Sequence, residues 1–108
     1  MFARLARYTV APERLGDAIA SFTEAGDGLQ ELPGFQDGYI LVDEDDGSLL
    51  TLTMWSTRAA LESSETRASA LRRRATRAAE GSVQSVQCYE VAGELGVKSA
   101  GTRELSGS

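Results

Sequence analysis

Apolar residues along this chain recur at a spacing that switches between two residues and about 3.6, and the order of those switches leaves few possible folds. Residues 2–10 alternate, with Phe2, Arg4, Ala6, Tyr8 and Val10 in one phase and Ala3, Leu5, Arg7 and Thr9 in the other, as a strand requires. Pro12 suits the first turn of a helix, where its missing N–H costs nothing. Leu15, Ile19, Phe22, Ala25, Leu29 and Leu32 then return at three- and four-residue steps and predict one helix stripe. Gly26 and Gly28 weaken its last turns, each by about 1 kcal/mol relative to alanine. Pro33 disfavours helical geometry at Leu32, and Gly34 permits the positive φ of a tight reversal, so "LPGF" at 32–35 marks a helix-to-strand joint.

Phe35 through Val42 read as a second strand, "DEDDG" at 43–47 as a turn, and "SLLTLTMWS" as a third strand completing a hairpin. Thr57 or Ser56 can cap the next helix through its hydroxyl. Leu61, Ser64, Ala68, Leu71, Ala75 and Ala78 give that helix a small-sided stripe, and Gly81 closes it. "SVQSVQCYEV" at 82–91 is the fourth strand. The order predicts an α+β, ferredoxin-like βαββαβ domain over residues 1–92, with a four-stranded antiparallel sheet and two helices on one face. Residues 93–108 read as a glycine- and serine-rich tail. Leu50, Leu52 and Met54 oppose Leu49 and Trp55 in phase, so both sheet faces are apolar. The face without helices therefore needs a partner, and a second copy of the chain, forming a barrel-like homodimer, is expected there.

Composition narrows the chemistry. The 108 residues include no histidine and no asparagine, which removes the usual neutral-pH base and the commonest metal ligand. Cys88 is the single cysteine and has no internal disulfide partner, which fits a reducing cytoplasm. A net charge of −5 argues against nucleic acid, and "MFARLARYTV" reads neither as a signal peptide nor as a membrane span. Four consecutive acids in "DEDD" do not converge on one ion, so no metal site is expected. An RNA-recognition module shares the element order but needs aromatic, basic stretches on its first and third strands, which are missing here.

Three stretches carry a resemblance: "YTVAPERLGDAIASF", "LPGFQDGYILV" and "LTLTMWSTRAALESS". Together they resemble the antibiotic biosynthesis monooxygenase family of dimeric α/β barrels over residues 1–92. Cofactor-free members of that family oxidise phenolic or anthrone-like compounds with molecular oxygen, and another branch degrades haem. The haem branch carries an asparagine near the position of Ala6 and a tryptophan and histidine on the second helix, none of which this chain has. The polyketide oxygenases place a tryptophan where Trp55 stands and an asparagine where this chain has Thr51. Threonine keeps one donor of that amide and loses the rest.

The resemblance implies an oxygenase that works without a cofactor on a small aromatic molecule. A ligand-binding dimer without catalysis is the alternative. Such chemistry asks for an apolar slot, donors that steady an anion and, preferably, a base. Trp55 and Thr51 are the candidate catalytic residues, with Trp55, Ile19, Phe22 and Leu71 walling the slot. Tyr8 and Arg4 share a strand phase with Ala6 and are expected to bind substrate, the tyrosine by hydrogen bonding and the arginine by stabilising a phenolate or carboxylate. A surface tyrosine and an acid-paired arginine are the competing readings. Glu65 is a conceivable base, and one of Arg72, Arg73, Arg74 and Arg77 should reach the cavity rim.

Overall fold

The computed structural model describes residues 1–96, so most of the tail expected at 93–108 lies outside the described residues. Phe2–Thr9 form β1, Pro12–Arg14 a 3-10 turn and Leu15–Leu29 α1. Phe35–Asp43 and Ser48–Trp55 form the hairpin β2–β3. Arg58–Ser63 (α2), Glu65–Ala78 (α3) and Ser82–Glu90 (β4) complete the domain. The sheet runs β2-β3-β1-β4 with every pair antiparallel, the ferredoxin-like order expected from the period switches. No helix among the described residues is long and apolar enough to cross a membrane.

One sheet face carries the core. Ala6 and Tyr8 of β1, Val10 just beyond it and Leu49 of β3 are buried against Leu15, Ala18 and Phe22 of α1 and Ala75 of α3, with Ala79 just beyond that helix. Alternation places Leu5, Leu52 and Tyr39 side by side on the opposite face, with Arg7, Leu50 and Leu41 as the next row. No helix covers this second face, and Tyr39, Leu41 and Tyr89 stand 55%, 46% and 49% exposed.

Two glycines hold the joints. Gly34 has φ +83°, and a Cβ there would lie 2.3 Å from Ala60 Cβ, so no other residue fits the helix-to-strand reversal. The Ser56 N–H donates to the Gly34 carbonyl at 2.8 Å, tying this joint to the end of β3. Gly47 closes the hairpin with φ +76° and lies against the Val10 carbonyl.

Two details differ from the sequence expectation. The second helix is broken at Ser64, with Thr57 capping its first part by accepting a hydrogen bond from the Ala60 N–H at 3.0 Å. The left-handed residue that stops α3 is Glu80 (φ 55°), not Gly81. The Gly81 N–H reaches back to the Thr76 carbonyl at 3.0 Å, as a Schellman closure requires. Gly81 is needed for room instead, since a Cβ there would sit 2.8 Å from the Thr9 carbonyl.

Candidate functional site

Between the sheet and helices α1 and α3 lies a cavity of about 880 Å³, within the size range of small-molecule sites. Its apolar wall comes from Ile19, Phe22, Ala25 and Leu29 of α1, Ile40 of β2, and Ala68 and Leu71 of α3. The room arises from side-chain size: α3 presents alanine where a larger residue would reach the sheet, and α1 presents Gly26.

The floor is polar and comes from alternate residues of β1 and β3. Arg4, Ala6 and Tyr8 pair with Thr53, Thr51 and Leu49 in register, which brings Tyr8 beside Thr51. Their hydroxyls are 3.2 Å apart, and the Tyr8 ring packs on Phe22 with centroids 4.5 Å apart. Burial pushes the Tyr8 phenol above its ordinary value of 10.0, against the opposing pull of Thr51 and the positive charges of Arg72 and Arg4. Tyr8 is therefore a neutral hydroxyl at physiological pH, able to donate to an oxygen in the cavity.

Arg4 is 4% exposed, an unusual depth for a charge. Its Nη2 donates to the Leu61 carbonyl at 2.9 Å and to the Ser64 hydroxyl at 3.2 Å, and lies 3.0 Å from Glu65 Oε1. Its Nε is buried without a partner. Arg72, from α3, lines the same cavity with its side chain only 11% exposed, and its Nη1 is 3.9 Å from Glu65 Oε2. Two sheltered guanidinium groups thus share one carboxylate, which is itself half exposed.

Tyr8, Arg4, Thr51, Ile19, Phe22 and Leu71, all singled out from the sequence, are brought together around this cavity. Trp55 is placed differently: it is fully buried and is not part of the lining. Its indole N–H donates to Thr53 Oγ1 at 3.0 Å, its ring meets Phe35 edge-on at 5.4 Å, and the Arg4 guanidinium carbon lies 5.6 Å from its centroid. Trp55 stands behind Arg4, which lies over its ring and itself lines the cavity floor. Glu65 projects between two guanidinium groups. Arg72 answers which of the clustered arginines reaches the cavity, and the sequence could not single it out because the four arginines span more than one helix face. Thr53 and Gly26 also line the cavity; Thr53 was discernible from its strand phase with Thr51.

The sequence model for antibiotic biosynthesis monooxygenases matches residues 1–76, and the chain belongs to that family. Among curated proteins, none matches. Several solved structures share the fold. SnoaB, a cofactor-independent oxygenase from Streptomyces nogalater, superposes with a TM-score of 0.68 at 20% identity, covering 87% of this chain and 95% of its own. The monooxygenase from the ActVA-Orf6 gene of Streptomyces coelicolor, in complex with the ligand nanaomycin D, gives 0.68 at 15% identity, covering 87% and 89%. Rv0793 from Mycobacterium tuberculosis gives 0.67 at 17% identity, covering 86% and 96%. At these identities the likeness is one of fold.

Proposed function

We propose that the chain is a cofactor-independent monooxygenase that oxidises a small phenolic or anthrone-like compound in the cavity between sheet and helices. The observation that carries this reading is the cavity's division into an apolar wall and a floor where Tyr8, Thr51, Arg4 and Arg72 converge. Family membership and the fold shared with SnoaB support the same reading. An anthrone that loses a proton becomes an electron-rich enolate, which can pass one electron to oxygen. Recombination of the resulting radical pair gives a hydroperoxide, and loss of water leaves a quinone. One oxygen atom enters the product and the other leaves as water.

The residues' part is electrostatic. Cations beside the forming enolate lower the substrate's pKa, and each unit gained corresponds to about 1.4 kcal/mol. Tyr8 and Thr51 orient the oxygen that carries the negative charge. Trp55 acts through Arg4: its ring face supports the guanidinium and keeps it against the floor.

A homodimer belongs to the same proposal. The rows Leu5–Leu52–Tyr39 and Arg7–Leu50–Leu41 make a broad apolar face that a second copy would bury. The test is oxygen uptake with dithranol-type anthrones and with hydroquinones. Uptake is expected with the anthrone and should fall at least tenfold in Tyr8→Phe and Arg72→Gln while thermal unfolding stays cooperative. Tight binding without uptake across such a panel would assign the protein as a ligand-binding dimer instead.

A further inference from the structure

Granted that the cavity holds the ligand, as proposed above, we infer that its polar end receives the acid group of an organic anion and that Glu65 pairs with the same two guanidinium groups until the ligand arrives. The contacts of Arg4 carry this assignment. Its Nη2 has two hydrogens but three acceptors within reach: the Leu61 carbonyl, the Ser64 hydroxyl and Glu65 Oε1. The first two belong to buried backbone and a buried side chain, and Ser64 is itself held to the Leu61 carbonyl at 2.7 Å. Glu65 is the acceptor that can leave without stranding a buried group.

Its other contact is weak. At 3.9 Å, the approach to Arg72 is longer than a hydrogen bond. The Glu65 side chain is 52% exposed, so water can solvate it once it swings away. The two cations cannot follow it out, because their side chains are 5% and 11% exposed. Glu65 therefore leaves behind two desolvated guanidinium groups and the unpartnered Arg4 Nε, a demand for negative charge that a ligand's acid group in the cavity would meet.

No other carboxylate competes from the sheet. Asp37 borders the cavity on β2, but it pairs with Met54 in register, so its side chain leaves on the opposite sheet face. The preferred ligand is an aromatic acid or a phenolate-forming ring that carries its charge at one end and an apolar body at the other.

The test measures binding, not turnover, by isothermal titration calorimetry with 2-naphthoate and its uncharged counterpart 2-naphthamide. The wild-type chain is expected to favour the acid by about tenfold. Glu65→Gln removes the internal competitor and should widen that ratio by roughly a further tenfold, whereas Arg72→Gln should bring it close to one. If Glu65→Gln fails to fold, Glu65→Asp, whose shorter arm withdraws the carboxylate from Arg72, reads the same ratio. Equal affinity for acid and amide overturns the anion assignment, and an acid preference indifferent to Glu65 overturns that carboxylate's role as competitor; either result leaves the cavity as a ligand site. Failure of both compounds to bind would take the cavity reading down with it.

Discussion

Replacing Gly26 with alanine should make this protein more stable and, with a larger side chain, close its cavity. Gly26 lies inside α1 with ordinary helical φ, and a Cβ built there meets nothing within 4 Å. Neither a turn nor a close approach requires glycine, so the substitution recovers the full helix-propensity difference of about 1 kcal/mol. For a domain of this size that is a rise in Tm of about 4–8 °C. Gly28, two residues on, is the internal control. Its Cβ would lie 3.1 Å from Leu71 Cδ1, so part of the same gain is lost to displacing that leucine. Thermal unfolding followed by circular dichroism should rank Gly26→Ala above Gly28→Ala, and both above the wild type. Gly26→Leu retains the propensity gain but projects into the cavity that Gly26 borders, and should weaken 2-naphthoate binding at least tenfold. A Tm that falls in Gly26→Ala, or affinity that survives in Gly26→Leu, would show that the glycine does not hold this space open.

Two further outcomes follow from single backbone or side-chain features. Glu80→Gly should stabilise the fold by about 0.5–1 kcal/mol in denaturant titrations, because a non-glycine residue is held at φ 55° where it gains only a loose 3.8 Å approach to Arg14. The raised pKa of Tyr8 means that the folded chain retains a proton the unfolded chain releases near pH 10. Its contribution is therefore complete below pH 10 and is lost as pH rises through the folded value. Tyr8→Phe should flatten that alkaline decline, and the wild-type-minus-variant phenolate absorbance should rise only above pH 10; a rise below it would contradict the burial of the phenol.

The fold was legible because each element announces itself locally. Alternation in 2–10, the stripe from Leu15 to Leu29, and the Pro33–Gly34 joint are all properties of neighbouring residues, and the strand order follows from chain connectivity. The polar floor was legible for a related reason: β1 shows Arg4, Ala6 and Tyr8 on one face by phase alone. Trp55 shows where that reasoning ends. Phase places it on the cavity side, but it is fully buried with Phe35, Thr53 and Arg4 against it, and contacts such as those with Phe35 and Arg4 join residues distant in sequence. Glu80 was hidden differently, since glycine at position 81 is the natural candidate for a left-handed residue. The steric demand at Gly81 comes from β1, which no local pattern reveals.

The break at Ser64 joins the fold to the site. Residues 57–80 contain no proline or glycine that would interrupt a helix, so sequence alone predicts one continuous segment. Helix ends leave carbonyls without intrahelical donors. At the end of α2 the Leu61 carbonyl accepts from the Ser64 hydroxyl and from Arg4, so a guanidinium from β1 serves as the helix cap. That arrangement also explains how a charge can sit at 4% exposure: it meets the negative end of a helix, a serine oxygen and the face of Trp55. An unbroken helix would commit the Leu61 carbonyl to the next turn and remove the principal acceptor of Arg4. Interruption of the helix and burial of the cation are therefore one structural event, and it is this event that sets positive charge at the end of an otherwise apolar cavity.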